Sequence, residues 1–227
     1  MDEPKRILII NGSLRKLGNT SKLLVALQQQ IENIATPEWV VFDVVHINDL
    51  HLGQCVGCNN CIFDRQCYLR DKDGFQTFVD EKLLHTEALI MASPCYGGMC
   101  TGELKKLIDR LCYLFHHPAL IGIPCLTLAV SAAWRATEVS KYMSIVCEHI
   151  GGVVVVDCLS FKGDFTTKEQ SLHDAAWSLV LTWGWQRRIM NPHMDKCGLM
   201  LYTRVGHSQT RQTLSIGHQK VGSINPT

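Results

Sequence analysis

Arg6-Ile7-Leu8-Ile9-Ile10 is a short apolar run closed by Asn11-Gly12-Ser13. Four more such runs recur along the chain, at Trp39–Ile47, Ala88–Ala92, Pro124–Val130 and Val153–Cys158. Continuous rather than alternating apolar runs suit strands buried on both faces, the condition of a parallel sheet. Between them the period changes. Leu23, Leu24, Leu27 and Ile31 mark one face of a helix that Asn19 or Thr20 would cap, and further helices are predicted at Gly74–His85, Gly102–His116, Thr137–Ile150 and Thr167–Ile189. Strands alternating with helices predict an α/β fold, a doubly wound parallel five-stranded sheet with helices on both faces.

Two stretches exceed what five strands and their helices need. Residues 48–73 form a long insert between strand and helix, and loops of this length in a compact domain tend to be functional. The second stretch, 187–227, carries six Lys/Arg against one acidic residue, while residues 1–186 carry sixteen against twenty. We therefore expect a domain over 1–186 that includes the loop 48–73, followed by a basic C-terminal extension. That extension reads either as a solvated arm or as one that meets a neighbouring subunit or an anionic partner.

With 227 residues the chain has ample length for a core that needs no covalent staples. Its hydrophobic fraction of 46% and charged fraction of 19% exclude a disordered protein. A formal net charge of +1 removes the electrostatic case for a nucleic-acid partner. No run of apolar residues is long enough to span a bilayer, so no membrane partner is expected. The N-terminal Met-Asp-Glu-Pro-Lys-Arg runs into four apolar residues and lacks a signal-peptide h-region. The chain holds eleven cysteines, an odd number in a chain too long to require disulfides, which points to a reducing cytoplasm and to metal binding.

Gly12-Ser13-Leu14-Arg15-Lys16-Leu17-Gly18-Asn19-Thr20-Ser21 joins the first strand to the first helix. A phosphate placed there would meet backbone N–H groups at a helix N-terminus and the hydroxyls of Ser13, Thr20 and Ser21. Gly12 and Gly18 allow the tight turn and the close approach of backbone to anion. The segment is neither a Walker A loop nor GxGxxG. The bland alternative is an ordinary turn with a Ser/Thr cap. Ser93-Pro94-Cys95-Tyr96-Gly97-Gly98-Met99-Cys100-Thr101-Gly102 follows the third strand. If the first and third strands flank the switch point of an open sheet, this loop sits where ligands bind. Tyr96 and Met99, with the Gly97-Gly98 backbone, would then line a flat aromatic ligand.

Cys55, Cys58, Cys61 and Cys67 fall within thirteen residues, spaced C-x2-C-x2-C-x5-C. Three thiolates in one tight loop match a cubane iron–sulfur cluster. Structural zinc more often uses two CxxC pairs separated by a longer spacer, and redox-switching thiols are the third reading. Cys112, Cys125, Cys147 and Cys158 read as small core hydrophobes. The histidines make no ligand spacing, and GxSxG is absent.

Together, GSLRKLGNTSKLL after the first strand, SPCYGGMCTGELKKLIDR after the third, and the compact cysteine motif between them resemble the iron–sulfur flavoproteins. These are a branch of the NADPH-dependent FMN reductase superfamily with a flavodoxin-like fold. The resemblance covers residues 5–165. It implies FMN, with its phosphate on Ser13, Arg15, Asn19, Thr20 and Ser21 and its ring against Pro94, Cys95, Tyr96, Gly97, Gly98 and Met99. It also implies a 4Fe–4S cluster on Cys55, Cys58, Cys61 and Cys67, and a homodimer or homotetramer that brings cluster and flavin of different subunits together. Related reductases often carry a Gly-rich turn after the fourth strand. Here that segment is Ser131-Ala132-Ala133-Trp134-Arg135, so no flavin contact is carried onto it.

The expected function is an electron-transfer flavoprotein that couples two-electron and one-electron carriers, with a ferredoxin-like or nicotinamide donor. Because cofactors would carry that chemistry, no acid–base residue is named as catalytic. Two rivals are an NAD(P)H-dependent FMN or quinone reductase without a working cluster, and a redox or metal sensor. Trp177, Trp183 and Trp185 crowd the last helix with Leu179, Val180 and Leu181, which adds an apolar surface suited to subunit contact.

Overall fold

The computed structural model describes residues 4–35, 37–64, 66–70, 72–162 and 169–190. Their strands are β1 (Lys5–Asn11), β2 (Val40–His46), β3 (Ala88–Pro94), β4 (Pro124–Ser131) and β5 (Val153–Lys162). They form one sheet in the order β2-β1-β3-β4-β5, and every neighbouring pair is parallel. This is the flavodoxin-like order, whose switch point lies between β1 and β3. The helices are α1 (Asn19–Ala35), α2 (Asn60–Phe63), α3 (Phe75–Glu81), α4 (Gly102–Leu111), α5 (Ala136–His149) and α6 (Glu169–Met190).

Side chains alternate across each strand, and here both faces are apolar. Ile7 and Ile9 pack with Ile90 of β3, Leu23, Leu27 and Ile31 of α1, and Leu172 and Leu179 of α6. Leu8 and Ile10 face the other way, against Phe75 and Phe78 of α3, Leu104 and Leu107 of α4, and Val139 and Met143 of α5. Burial on both faces explains why β1, β3 and β4 read as near-continuous apolar runs, whereas edge strand β2 leaves Val41 and Val44 exposed.

Several boundaries differ from those predicted. The second run begins with a 3-10 turn at Pro37–Trp39, so β2 starts at Val40. The helices predicted to reach His85 and His116 each tighten into a 3-10 turn, at Leu83–His85 and Cys112–Phe115. The boundary placed at 186/187 falls inside α6, which continues through Met190. Residues 191–227, most of the expected extension, lie outside the described residues, as do the side chains of Trp183 and Trp185. Leu172, Ala175, Ala176 and Leu179 bury one face of α6, while Trp177 and Leu181 are exposed. Among the described residues, no helix is long and apolar enough to cross a membrane.

Candidate functional site

β1 ends at Asn11, and the chain turns from the carboxyl edge of the sheet into α1. Gly12 is the pivot. Its N–H donates to the Ala92 carbonyl at 2.7 Å, and a Cβ there would stand 2.8 Å from that oxygen and 2.9 Å from Leu104 Cδ2. The loop that follows is folded on itself. Ser13 Oγ donates to the Arg15 carbonyl at 3.2 Å and accepts from Arg15 N–H at 3.1 Å, while Gly18 N–H donates to the Arg15 carbonyl at 3.0 Å. Ser21 Oγ also donates to Arg15 O, at 3.3 Å.

Ser13, Arg15, Gly18, Asn19, Thr20 and Ser21 therefore share one βα turn at the start of α1. Ser13 and Thr20 are buried, whereas Arg15 and Asn19 are exposed. The first turn of α1 contains no acidic residue to oppose an anion at its positive end. A residue that the spacing does not single out organises the turn. Asn11 Oδ1 accepts from Ser13 N–H at 3.0 Å, and its Nδ2 donates to Ser21 Oγ at 2.9 Å.

The loop after β3 is built differently. Cys95 N–H donates to Val130 O at 2.7 Å, extending the sheet by one bond. Tyr96 and Met99 then exchange backbone hydrogen bonds at 2.9 and 3.1 Å around Gly97 (φ +59°) and Gly98 (φ +83°). Two consecutive positive φ values mark a type I′ turn, which glycine adopts without strain. The turn holds Tyr96 and Met99 exposed, side by side. Thr101 fastens this loop to the first one: its hydroxyl donates to Gly12 O at 2.7 Å and accepts from Leu104 N–H at 3.2 Å, capping α4.

The loop after β4 joins them. Ser131 Oγ donates to Trp134 O at 2.7 Å and accepts from Trp134 N–H at 3.0 Å. Cys95 Sγ reaches Trp134 O at 3.5 Å, and the Arg135 side chain packs where a Gly98 Cβ would be. Trp134 is 57% exposed, with the Arg135 guanidinium 5.2 Å from its ring centre. Only the loop's place in chain order after β4 hinted at this junction, because the usual glycines are missing from the segment.

The cysteine loop leaves β2 and lies against the far end of α4. Its base is closed by Gly74 N–H to Leu50 O at 3.3 Å and by Asp73, whose carboxylate accepts from Gly53 N–H at 2.7 Å and Phe75 N–H at 3.0 Å. Asp73 also pairs with Arg110 of α4. Burial by itself would raise the Asp73 carboxyl, but the Gly53 amide, Arg110 and the Phe75 amide together hold it below the ordinary 3.8. Within the loop, Gly57 (φ +64°) and Asn59 (φ +61°) bend the backbone ahead of the single turn of α2.

Cys55, Cys58, Cys61 and Cys67 all line one pocket of about 510 Å³. Cys55 and Cys58 are exposed, Cys61 and Cys67 half-buried. Burial, and after it the charges of Cys67, Cys55 and Cys58, push the Cys61 thiol above its ordinary value. Cys61 is thus within electrostatic reach of the other three, although among the described residues no three His, Cys, Asp or Glu side chains meet closely enough to clasp a single metal ion. As a donor set they fit an iron–sulfur group, since soft thiolates around a small apolar hollow are its usual ligands.

One reading needs correction. Cys112 is not a core filler: at the end of α4 it stands half-buried in the wall of the same pocket, while Cys125 and Cys147 are fully buried. The side chain of Cys158 lies outside the described residues.

A family model described as NADPH-dependent FMN reductase matches residues 5–166. The chain belongs to that family. An iron-sulfur flavoprotein of Archaeoglobus fulgidus is 35% identical over 156 residues, covering 67% of this chain and 66% of that protein. An iron-sulfur flavoprotein of Clostridioides difficile is 29% identical over 160 residues, covering 70% and 68%. The chain thus spans about two thirds of the length of these relatives. An archaeal flavodoxin shares the fold, with a TM-score of 0.54 at 15% identity, over 79% of this chain and 99% of that one. Members of the FMN reductase family are flavin-dependent oxidoreductases, the activity that the family's description names.

Proposed function

We propose that this member of the FMN reductase family is an oxidoreductase carrying both FMN and a 4Fe–4S cluster, and that it couples two-electron to one-electron carriers. The observation that carries the proposal is the convergence of Cys55, Cys58, Cys61 and Cys67 on one pocket, apart from the flavin loops. When bound, flavin exchanges electrons singly or in pairs, whereas a cluster exchanges them singly.

The protein's own part is positioning. Ser13, Arg15, Gly18, Asn19, Thr20 and Ser21 receive the FMN phosphate at the start of α1. Pro94, Cys95, Tyr96, Gly97, Gly98 and Met99 hold the ring, with exposed Trp134 beside them. Cys61 gives up its proton when it ligates, so loading releases protons and is favoured as pH rises. The donor is ferredoxin-like or a nicotinamide, the working form is a homodimer or homotetramer, and the compartment is the reducing cytoplasm that the cysteine content suggests.

The test is anaerobic purification, reconstitution with ferrous iron and sulfide, and quantification of iron, sulfide and flavin. About four irons and four sulfides per FMN support the proposal. Stoichiometric FMN without iron would overturn it and leave an NAD(P)H-dependent reductase. Zinc on the thiols, or FAD in place of FMN, would overturn the corresponding assignment.

A further inference from the structure

Arg110 is an oddity on α4. It is only 2% exposed and belongs to the apolar face of the helix, between Leu107 and Leu111. Its Nη1 pairs with Asp73, and its guanidinium carbon lies 4.2 Å from the centre of the Phe75 ring. Nε and Nη2 are buried and have no hydrogen-bond partner among the described residues. A guanidinium carries five N–H donors and cannot shed its charge, and buried donors left unmade are costly. Native structures rarely tolerate such atoms unless a water, ion or ligand supplies the acceptor. Arg110 also lines the pocket shared by Cys55, Cys58, Cys61, Cys67 and Cys112.

We infer that Arg110 is a positioning and tuning residue for the cluster site, donating its free N–H groups to sulfur atoms of the group held by the four thiolates. The inference rests on the proposed cluster and goes beyond it, because it assigns the setting of the redox potential to a residue that ligates nothing. One-electron reduction adds one negative charge to the cluster and neither makes nor breaks a bond. A donor aimed at sulfur stabilises that added charge, so it raises the potential. Asp73 works against it. Its carboxylate holds Arg110 in place and offsets part of the cation's charge.

Two substitutions on the loaded holoprotein therefore move the midpoint in opposite directions. In an EPR-monitored redox titration, Arg110→Gln gives a more negative cluster midpoint. Arg110→Lys keeps the charge beside Asp73 but loses the planar fork, and gives a smaller shift of the same sign. Asp73→Asn gives a more positive midpoint. Retained FMN reports that each variant is folded. If both Arg110 variants fold but cannot be loaded, Asp73→Asn decides, a positive shift supporting the inference and none overturning it. Loaded variants whose midpoints all match the parent protein would overturn the inference while leaving the cluster assignment intact. A parent protein that takes up no iron would overturn both.

Discussion

The loops after β1 and β3 are fastened to one another, whereas the loop after β2 is fastened at its base. Gly12 and Thr101 bridge the two flavin-side loops, and Cys95 and Arg135 bring in the third. The hydrogen bonds described for residues 59–64 run within the cysteine loop itself, and the bonds that tie it to the fold gather at Gly53, Asp73 and Gly74. A site built from mutually bonded loops holds its shape before any ligand arrives. A site hung from the Asp73–Arg110 pair, the exposed Lys16–Asp49 pair and three backbone N–H bonds at its base takes its final shape from what it binds, as metal sites often do. The difference also shows in exposure: Phe63 of the cysteine loop is 81% exposed, although it is a large apolar side chain.

The comparison breaks most visibly at Cys61. A serine hydroxyl is a harder and far less acidic ligand than a thiol. Cys61→Ser is expected to lose most of the iron and sulfide on reconstitution while FMN remains stoichiometric. Transfer of single electrons to a ferredoxin-like acceptor should then fall sharply, with chemical reduction of the flavin intact. Full iron content in this variant would mean that the two sites have been read wrongly.

Gly12→Ala tests the opposite region. The new Cβ has backbone and a packed leucine within 3 Å, so overpacking is expected to cost about 1–3 kcal/mol. FMN affinity should drop with it, and iron uptake should survive at temperatures where the variant is folded. Gly57→Ala is its counterpart in the cysteine loop. Nothing lies within 4 Å of that Cβ, so only the left-handed backbone opposes it, at about 1 kcal/mol. Chemical denaturation of both variants, with flavin and iron content measured, checks the pair.

Thr101→Val removes the bridge between the flavin loops together with the α4 cap. A loss of about 1 kcal/mol of stability is expected, with weaker FMN binding measured by fluorescence quenching. The smallest effect concerns pH. The Asp73 carboxyl is depressed in the folded protein, so its contribution is complete above the unfolded value of 3.8 and is lost as pH falls through the lower folded value. Amide exchange at Gly53 and Phe75 should stay slow down to about pH 4 and quicken only in stronger acid. Quickening already at pH 5–6 would contradict Asp73 as the anchor of the loop.

Most of the fold could be read from the chain because parallel strands buried on both faces leave an unmistakable apolar signature, as at Ile7–Ile10 and Leu89–Ala92. The conformation of the loops after β1 and β3 was legible for a related reason: glycines and hydroxyls are needed where backbone must turn tightly at a helix start. The rest depends on contacts between residues distant in sequence. Asn11 bonds a backbone amide and the Ser21 hydroxyl, Thr101 bonds backbone atoms, and Trp134 is held through its own backbone by Ser131, none of which imposes a recognisable spacing on the sequence. Arg110 sits within an apolar helical pattern that predicts burial, and only its pairing with Asp73, thirty-seven residues away, explains its charge there. Cys112 was misread because it follows buried Leu111 in an apolar pattern, whereas at the end of α4 it lines the cysteine pocket.

Helix α4 reaches both sites. Thr101, its cap, holds Gly12 beside the flavin loops, and Arg110 and Cys112 near its other end face the cysteine pocket. At about 1.5 Å of rise per residue, the ten residues from Gly102 to Leu111 set a spacing of roughly 15 Å along the helix. This makes the helix a length standard for the molecule. An inserted residue would not simply lengthen it; everything downstream would swing by about 100°, carrying Arg110 away from Asp73. Substitutions on the solvent side of α4 are cheap, but its residue count is fixed, and lineages that keep both sites are constrained to keep that number.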